Sequence, residues 1–152
     1  MTVRPDELKR EAVEAAAALA ADRLGDARAG LVQRFLKQLY DHVPPADILG
    51  RRPDDLYGAA LSLCQFAQTR LPGRAKLRVL NPRVEVDGWR APATIVEIIN
   101  DDMPFLVDSV TAGLNGEGVT VHLVIHPILY VTRDADGRLT ALHGADDRAG
   151  SR

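Results

Sequence analysis

The side chains in this sequence best suited to chemistry are two histidines, a group of carboxylates and a lone cysteine. His122 and His126 are four residues apart, a spacing that would place both on one face of a helix, as a metal site needs. They fall instead in a run that alternates like a β-strand, where four residues span about 13 Å. A single metal ion with bonds of about 2 Å cannot reach both. The pattern therefore favours surface histidines on a half-exposed strand.

Three aspartates raise the alternative of a magnesium site or a pair of catalytic acids. Pro104, which has a fixed φ and no N–H, suits the first turn of a helix. Asp101 and Asp102 precede it, where a carboxylate can accept from the free N–H groups of that turn and faces the positive end of the helix dipole. Capping explains both without a ligand, and Asp108 is expected to be exposed one turn later. Replacing Asp102 by alanine should then cost about 0.5–2 kcal/mol.

The other candidate groups lack the setting that catalysis requires. Cys64, the only cysteine, lies in a helical pattern with no activating base nearby, so it is typical of a small core residue and cannot form an internal disulfide. Ser109 lacks the G-x-S-x-G context. Gly113, Gly116 and Gly118 have the wrong order for a dinucleotide fingerprint and end a helix instead of beginning one. We predict no catalytic, cofactor-binding or metal-binding residue in this chain.

Length and charge narrow the class of protein. The 152 residues suit one domain, or one domain with a helical extension, and the formal net charge is −2. Basic residues are interleaved with acidic ones, which argues against a nucleic-acid partner. The charged N-terminus lacks the apolar core of a signal peptide, and no apolar run approaches the ~20 residues of a membrane span. We expect a cytoplasmic protein with no membrane partner.

Residues 1–74 are predicted to be helical. The first helix, over 6–24, is rich in alanine and has little bulk to bury on the face formed by Leu8, Ala12, Ala15 and Leu19. Stronger apolar stripes predict a second helix over 26–42 and a third that begins at Pro53 and ends before Pro72-Gly73.

Residues 75–143 are predicted to be rich in β-strands. The run 76–80 alternates, with 84–86 as a candidate extension, and 94–100 is apolar on both faces, as expected of an interior strand. Further strands are predicted over 119–125, 128–133 and 138–142, the last two joined by the turn Asp134-Ala135-Asp136-Gly137. No element is visible over 144–152, which we predict to be a disordered tail.

The segment 94–125 combines a strand, an acidic loop, a helix, a glycine stop and a second strand. In this order it resembles the opening of an ACT-type regulatory domain. More closely, Asn100 to Val110 together with Val121 to Pro127 is similar to the N-terminal region of the large bacterial NAD-specific glutamate dehydrogenases. The same region fits Pro44-Pro45, Asp54 to Tyr57, Lys76 to Pro82 and Asp134 to Leu139. The resemblance covers most of the chain from about Phe35 onward.

The resemblance implies an α+β chain: N-terminal helices over 1–74, then a partial ACT-like (ferredoxin-like) domain over 75–143. Its antiparallel sheet with one packed helix would be incomplete, because the second helix and fourth strand of an ACT domain have no counterpart here. The family's dinucleotide-binding fold and catalytic lysine lie downstream. The implied role is therefore a non-catalytic, regulatory or assembly fragment of an oxidoreductase of amino-acid catabolism that converts L-glutamate to 2-oxoglutarate. NAD would serve the parent enzyme, and no cofactor is expected in this chain.

The implied partners are the rest of the glutamate dehydrogenase polypeptide and, in the parent enzyme, further copies of it. Two alternatives remain open: a free-standing ACT-type sensor of small molecules, and a structural module that pairs its open sheet edge with another chain. Many amino-acid-binding ACT domains carry glycine after the turn proline, where this chain has Phe105, whose benzyl group would obstruct a ligand. The candidate ligand or interface loop comprises Asn100, Asp101, Asp102, Met103 and Pro104.

Overall fold

The computed structural model describes residues 2–144, which form helices followed by small antiparallel sheets. The helices are α1 (Pro5–Arg23), α2 (Asp26–Tyr40), α3 (Pro45–Ile48), α4 (Pro53–Phe66), α5 (Val84–Asp87) and α6 (Leu106–Gly116). The strands are β1 (Lys76–Leu80), β2 (Ile95–Ile99), β3 (Tyr130–Arg133) and β4 (Leu139–His143). The α+β class and the antiparallel pairing predicted from the sequence are confirmed. No helix within 2–144 is both long and apolar enough to cross a membrane.

The hydrophobic core lies among α1, α2 and α4. Helix α1 contributes its small side chains, Ala16, Ala17 and Ala20, together with Val13. Small residues let a neighbouring helix approach closely, so α1 packs on the bulkier faces of α2 and α4 in spite of its low volume. The predicted face is only partly buried: Ala12 and Leu19 pack against the core, whereas Leu8 and Ala15 are exposed. From the facing helices the core receives Val32, Phe35, Leu36, Leu39, Tyr40, Leu56, Tyr57, Ala60 and Cys64.

The sheet is split into two hairpin-like pairs. β1 pairs with β2, with Arg78 opposite Glu97, and β3 pairs with β4 through the predicted turn 134–137. The second pair is tied to the helices: the Arg70 N–H donates to the Gly137 carbonyl at 2.9 Å, and Leu142 lies in the hydrophobic core. Each two-stranded pair leaves strand edges without a partner strand among the described residues.

Trp89 fastens the connection between β1 and β2 to α4. Its side chain is buried against Gly58, where a Cβ would lie 2.5 Å from both Cβ and Cδ1 of Trp89. The Arg90 N–H also donates to Asp55 Oδ1 at 3.0 Å. Only glycine allows this close approach of the indole to the helix.

The ends of α6 are partly as predicted. Gly118 has φ +79°. The Gly118 N–H donates to the Asn115 carbonyl and the Val119 N–H donates to the Leu114 carbonyl, both at 3.0 Å. This is the Schellman arrangement that a glycine stop permits. The start differs, because the residue at the N-cap position is Phe105 and no described side chain caps the helix. The predicted capping by Asp101 and Asp102 is therefore wrong.

Three strand predictions are also wrong. Residues 119–125 form no strand, although their aliphatic side chains alternate. The candidate extension 84–86 lies in the short helix α5, which ends at Gly88 with φ +79°. β2 is not an interior strand, since β1 is its only partner strand in the described part of the chain. The boundary predicted between 74 and 75 stays a prediction, and the predicted tail lies outside the described residues except for Gly144.

Candidate functional site

The predicted loop, residues 100–104, joins β2 to α6 and is anchored at one point. Asp101 forms an ion pair with Arg70, whose side chain is largely buried just beyond the end of α4. Asn100 Nδ2 lies 3.4 Å from Met103 Sδ within the loop. Asp102 makes no hydrogen bond or ion pair with another described residue. The first aspartate therefore fixes the loop to the helical layer and the second is free in solvent.

Phe105 combines backbone strain with exposure. It is the only non-glycine residue with positive φ in the described part of the chain, at +63°, and its side chain is 76% exposed. The left-handed conformation costs an ordinary L-residue about 1–2 kcal/mol. The fold thus holds an aromatic ring in water at some energetic cost, next to Met103, which is also exposed.

One face of the β1–β2 pair is entirely aliphatic and mostly open to solvent, with only Ile98 half-buried. In the antiparallel register Leu77 lies opposite Ile98 and Val79 lies opposite Val96, so the four side chains are neighbours on one face. Leu77 and Val79 are each 62% exposed, and Val96 is exposed as well. We call these four residues the aliphatic face.

The opposite face of the pair carries the charges and points toward α4. Arg78 forms an ion pair with the buried Glu97 and donates to the Ser62 carbonyl at 3.0 Å and to its hydroxyl at 2.7 Å. Lys76 Nζ donates to the carbonyls of Phe66 at 2.7 Å and Thr69 at 3.0 Å. These carbonyls lie at and beyond the C-terminal end of α4, where the helix dipole favours cations.

The phenyl ring of Phe66 completes this arrangement. The Arg78 guanidinium carbon and Lys76 Nζ lie 4.4 and 4.5 Å from its centroid, within cation–π range. The inward face of the pair therefore carries all of its charged side chains, beside the half-buried Leu80, Ile95 and Ile99, whereas the outward face is aliphatic. The sequence carried a signal for this: Glu97 interrupts an otherwise apolar strand, in register with Arg78.

The other residues singled out from the sequence do not converge on a reactive site. His122 and His126 are exposed in the irregular segment after α6. Within 2–144 no three histidine, cysteine or carboxylate side chains form a group that could hold a metal ion. Cys64 is buried, and burial raises the pKa of its thiol, so the thiolate is disfavoured. Asp108 and Ser109 are exposed on α6.

Comparisons with known proteins agree on one family. Residues 35–152 match the model described as glutamate dehydrogenase, ACT1 domain. The chain is 45% identical over 117 residues to the NAD-specific glutamate dehydrogenase of Halomonas elongata, which covers 77% of this chain and 7% of that protein. It is 35% identical over 119 residues to the enzyme of the same name from Pseudomonas aeruginosa, which covers 78% and 7%. No solved structure matches.

The family match includes β1, β2, α6 and the loop 100–104, so the region with the specific sequence motif is also the region on which the comparisons agree. The chain spans 7% of the length of the curated relatives that it matches. The chain belongs to the NAD-specific glutamate dehydrogenase family, in whose N-terminal region it represents the ACT1 domain.

Proposed function

We propose that this chain is a non-catalytic assembly region of a cytoplasmic, NAD-dependent glutamate dehydrogenase. The parent enzyme would oxidatively deaminate L-glutamate to 2-oxoglutarate, with the catalytic residues and the NAD site elsewhere in the polypeptide. The observation that carries an assembly role is the aliphatic face of the β1–β2 pair, which the fold leaves in water.

Exposure of this face is costly for an isolated domain. Burial of aliphatic surface contributes about 25 cal/mol per Å², and contiguous apolar patches of several hundred Å² typically mark interaction sites. Further exposed apolar side chains lie in the same half of the chain, among them Met103, Phe105 and Ile128. An aromatic ring exposed by a strained backbone suits a contact made in the assembled enzyme better than an isolated domain.

The proposed partner is the remainder of the glutamate dehydrogenase polypeptide. An aliphatic sheet face without charge is matched by another apolar surface, such as the apolar side of a helix or sheet. The free edges of β1 and β2 offer backbone N–H and C=O groups for a further strand. A strand added at an edge and an apolar element packed on the face would together satisfy both features.

The experiment transplants the chain into a full-length enzyme. In the Halomonas elongata enzyme the matching segment is replaced by this chain, and NAD-dependent glutamate oxidation and the oligomeric state are measured. We expect an active, assembled chimera. Leu77→Asp should impair assembly, because a carboxylate would be buried at the contact. Val86→Asp is the matched control, since Val86 is slightly more exposed than Leu77 but lies on α5, outside the aliphatic face.

Two outcomes would contradict the proposal. If Leu77→Asp and Val86→Asp assemble equally well, the aliphatic face is not a contact. The purified chain alone should show no glutamate-dependent reduction of NAD above a mock preparation. If it does reduce NAD, the assignment of catalysis to other parts of the polypeptide fails.

The isolated chain should self-associate through the same surface. Two copies can bury their aliphatic faces and free strand edges against each other in the absence of the native partner. Sedimentation of the chain should show oligomers whose fraction rises with concentration and falls in Leu77→Asp. A longer chain that continues past Arg152 should form fewer oligomers. A monomeric chain, as soluble as the longer one, would show that its exposed surface needs no cover.

A further inference from the structure

A cleft of about 400 Å³ opens between the first half of α2 and the second half of α4. The residues that line it and matter for the argument are Arg28, Leu31, Leu61, Cys64, Gln65 and Gln68. The volume falls at the small end of the range of about 300–1,000 Å³ that is typical of ligand sites. The cleft lies in the helical layer and uses none of the residues of the aliphatic face.

The walls of the cleft are apolar. Leu31 of α2 and Leu61 of α4 both line the cleft and are half-buried, and Cys64 of α4, which also lines it, is only 2% exposed. Gln68 Nε2 donates to the Cys64 carbonyl at 3.3 Å and lies 3.7 Å from its sulfur, so this amide is already engaged. An apolar ligand group would therefore meet aliphatic carbon and a neutral sulfur.

The only charged side chain that lines the cleft is Arg28, in the first turn of α2. It is exposed and forms no hydrogen bond or ion pair with another described residue. Its guanidinium is near enough to lower the pKa of the Cys64 thiol, against the larger effect of burial. The exposed amide of Gln65 also has no partner within 2–144.

The geometry points to a binding site for a small straight-chain aliphatic carboxylate. Its hydrocarbon tail would lie between Leu31 and Leu61, and its carboxylate would accept from the Arg28 guanidinium and the Gln65 amide. Charge selects the class: an arginine at the mouth attracts an anion and repels an ammonium group. Volume sets the useful length, because a cleft of about 400 Å³ can enclose only a short chain.

The test uses acetate, butyrate, hexanoate and octanoate as probes, with binding to the full chain measured by isothermal titration calorimetry. We expect affinity to rise about fourfold with each methylene that enters the cleft and then to level off when the cleft is full. Hexanol and hexylamine are the matched controls, and both should bind at least about tenfold more weakly than hexanoate.

Variants separate the cleft from nonspecific binding. Arg28→Gln should weaken hexanoate about tenfold and leave hexanol unchanged, whereas Arg10→Gln, an exposed arginine on α1 outside the cleft, should change neither. Leu77→Asp should leave binding intact, which places the site away from the aliphatic face.

Three results with the carboxylates, hexylamine and Arg28→Gln would each overturn the site. These are the absence of saturable binding at millimolar carboxylate, equal affinity for hexanoate and hexylamine, and unchanged hexanoate affinity in Arg28→Gln. If Leu77→Asp abolished hexanoate binding, the hydrocarbon chain of hexanoate would bind on the aliphatic face. That result would also exclude the cleft as the site. Circular dichroism establishes that each variant is folded before its affinity is compared.

Discussion

Replacing Gly58 by alanine should destabilise the chain, although alanine is the better helix former. The added Cβ would lie 2.5 Å from Cβ and Cδ1 of Trp89, about 1 Å inside ordinary van der Waals contact. These atoms are close to the tryptophan backbone, so rotation of the side chain cannot relieve the clash. The whole segment must move, and with it the hydrogen bond from the Arg90 N–H to Asp55.

The two opposing effects can be compared directly. Alanine in place of glycine in a helix gains about 1 kcal/mol. Loss of a buried tryptophan from its packed position costs about 3–5 kcal/mol, by analogy with truncation of large core residues. We therefore expect a net loss of about 2–4 kcal/mol in the free energy of unfolding. The clash outweighs the propensity because Trp89 is buried.

The assay benefits from the fact that Trp89 is the only tryptophan in the chain. Urea unfolding followed by circular dichroism gives the stability, and the emission maximum reports whether the indole has moved into water. Gly30→Ala on α2 is the matched control, since nothing lies within 4 Å of its Cβ position. That variant should gain about 0.5–1 kcal/mol. If Gly58→Ala is as stable as Gly30→Ala, with unchanged emission, the close packing of Trp89 on α4 is refuted.

Three further substitutions test individual interactions. Glu97→Gln should lower the free energy of unfolding in urea by about 1–3 kcal/mol. This is less than the loss of a fully buried ion pair would cost, because Arg78 is partly exposed. Unchanged stability would refute the contact between Glu97 and Arg78 on the inward face. Asp102→Ala should change the free energy of unfolding by less than about 0.5 kcal/mol. A larger loss would indicate that Asp102 caps α6, which the structure does not show. The hydrogen bond from Arg23 lowers the pKa of Asp54. The stabilising effect of the ionised Asp54 is therefore present above about pH 4 and is lost as pH falls through the folded-state pKa. The melting temperatures of wild type and Asp54→Asn should converge as the pH is lowered. A difference that stays constant with pH would contradict this.

Elements whose causes are local could be predicted from the sequence. The apolar stripes of α2 and α4, the turn 134–137 and the glycine stop of α6 each depend on residues within a few positions of one another. The family motif also lies within one short segment, 100–110. The short helices α3 and α5 were missed because four residues carry too little periodicity to distinguish a helical turn from a loop.

Elements that depend on a distant partner could not be predicted. The alternation over 119–125 is the pattern of a half-buried strand, but a strand forms only when a neighbouring strand accepts its hydrogen bonds. Similarly, the face that α1 buries was decided by the shapes of α2 and α4, since alanines on any side of that helix are equally apolar. Asp101 was read as a helix cap because Arg70, its actual partner, is 31 residues away.

The inward-facing charges of the β1–β2 pair explain why the aliphatic face lies in water. Lys76 and Arg78 are held by carbonyls at the C-terminal end of α4 and by the ring of Phe66. Because side chains alternate between the two faces of a strand, fixing these cations inward forces Leu77 and Val79 outward. A shift of register by one residue would bury the leucine and valine but would leave Glu97 and its partner without their contacts. The open aliphatic face is thus a direct consequence of the charged contact with α4, and an assembled enzyme that covers it would gain the apolar burial that the isolated chain forgoes.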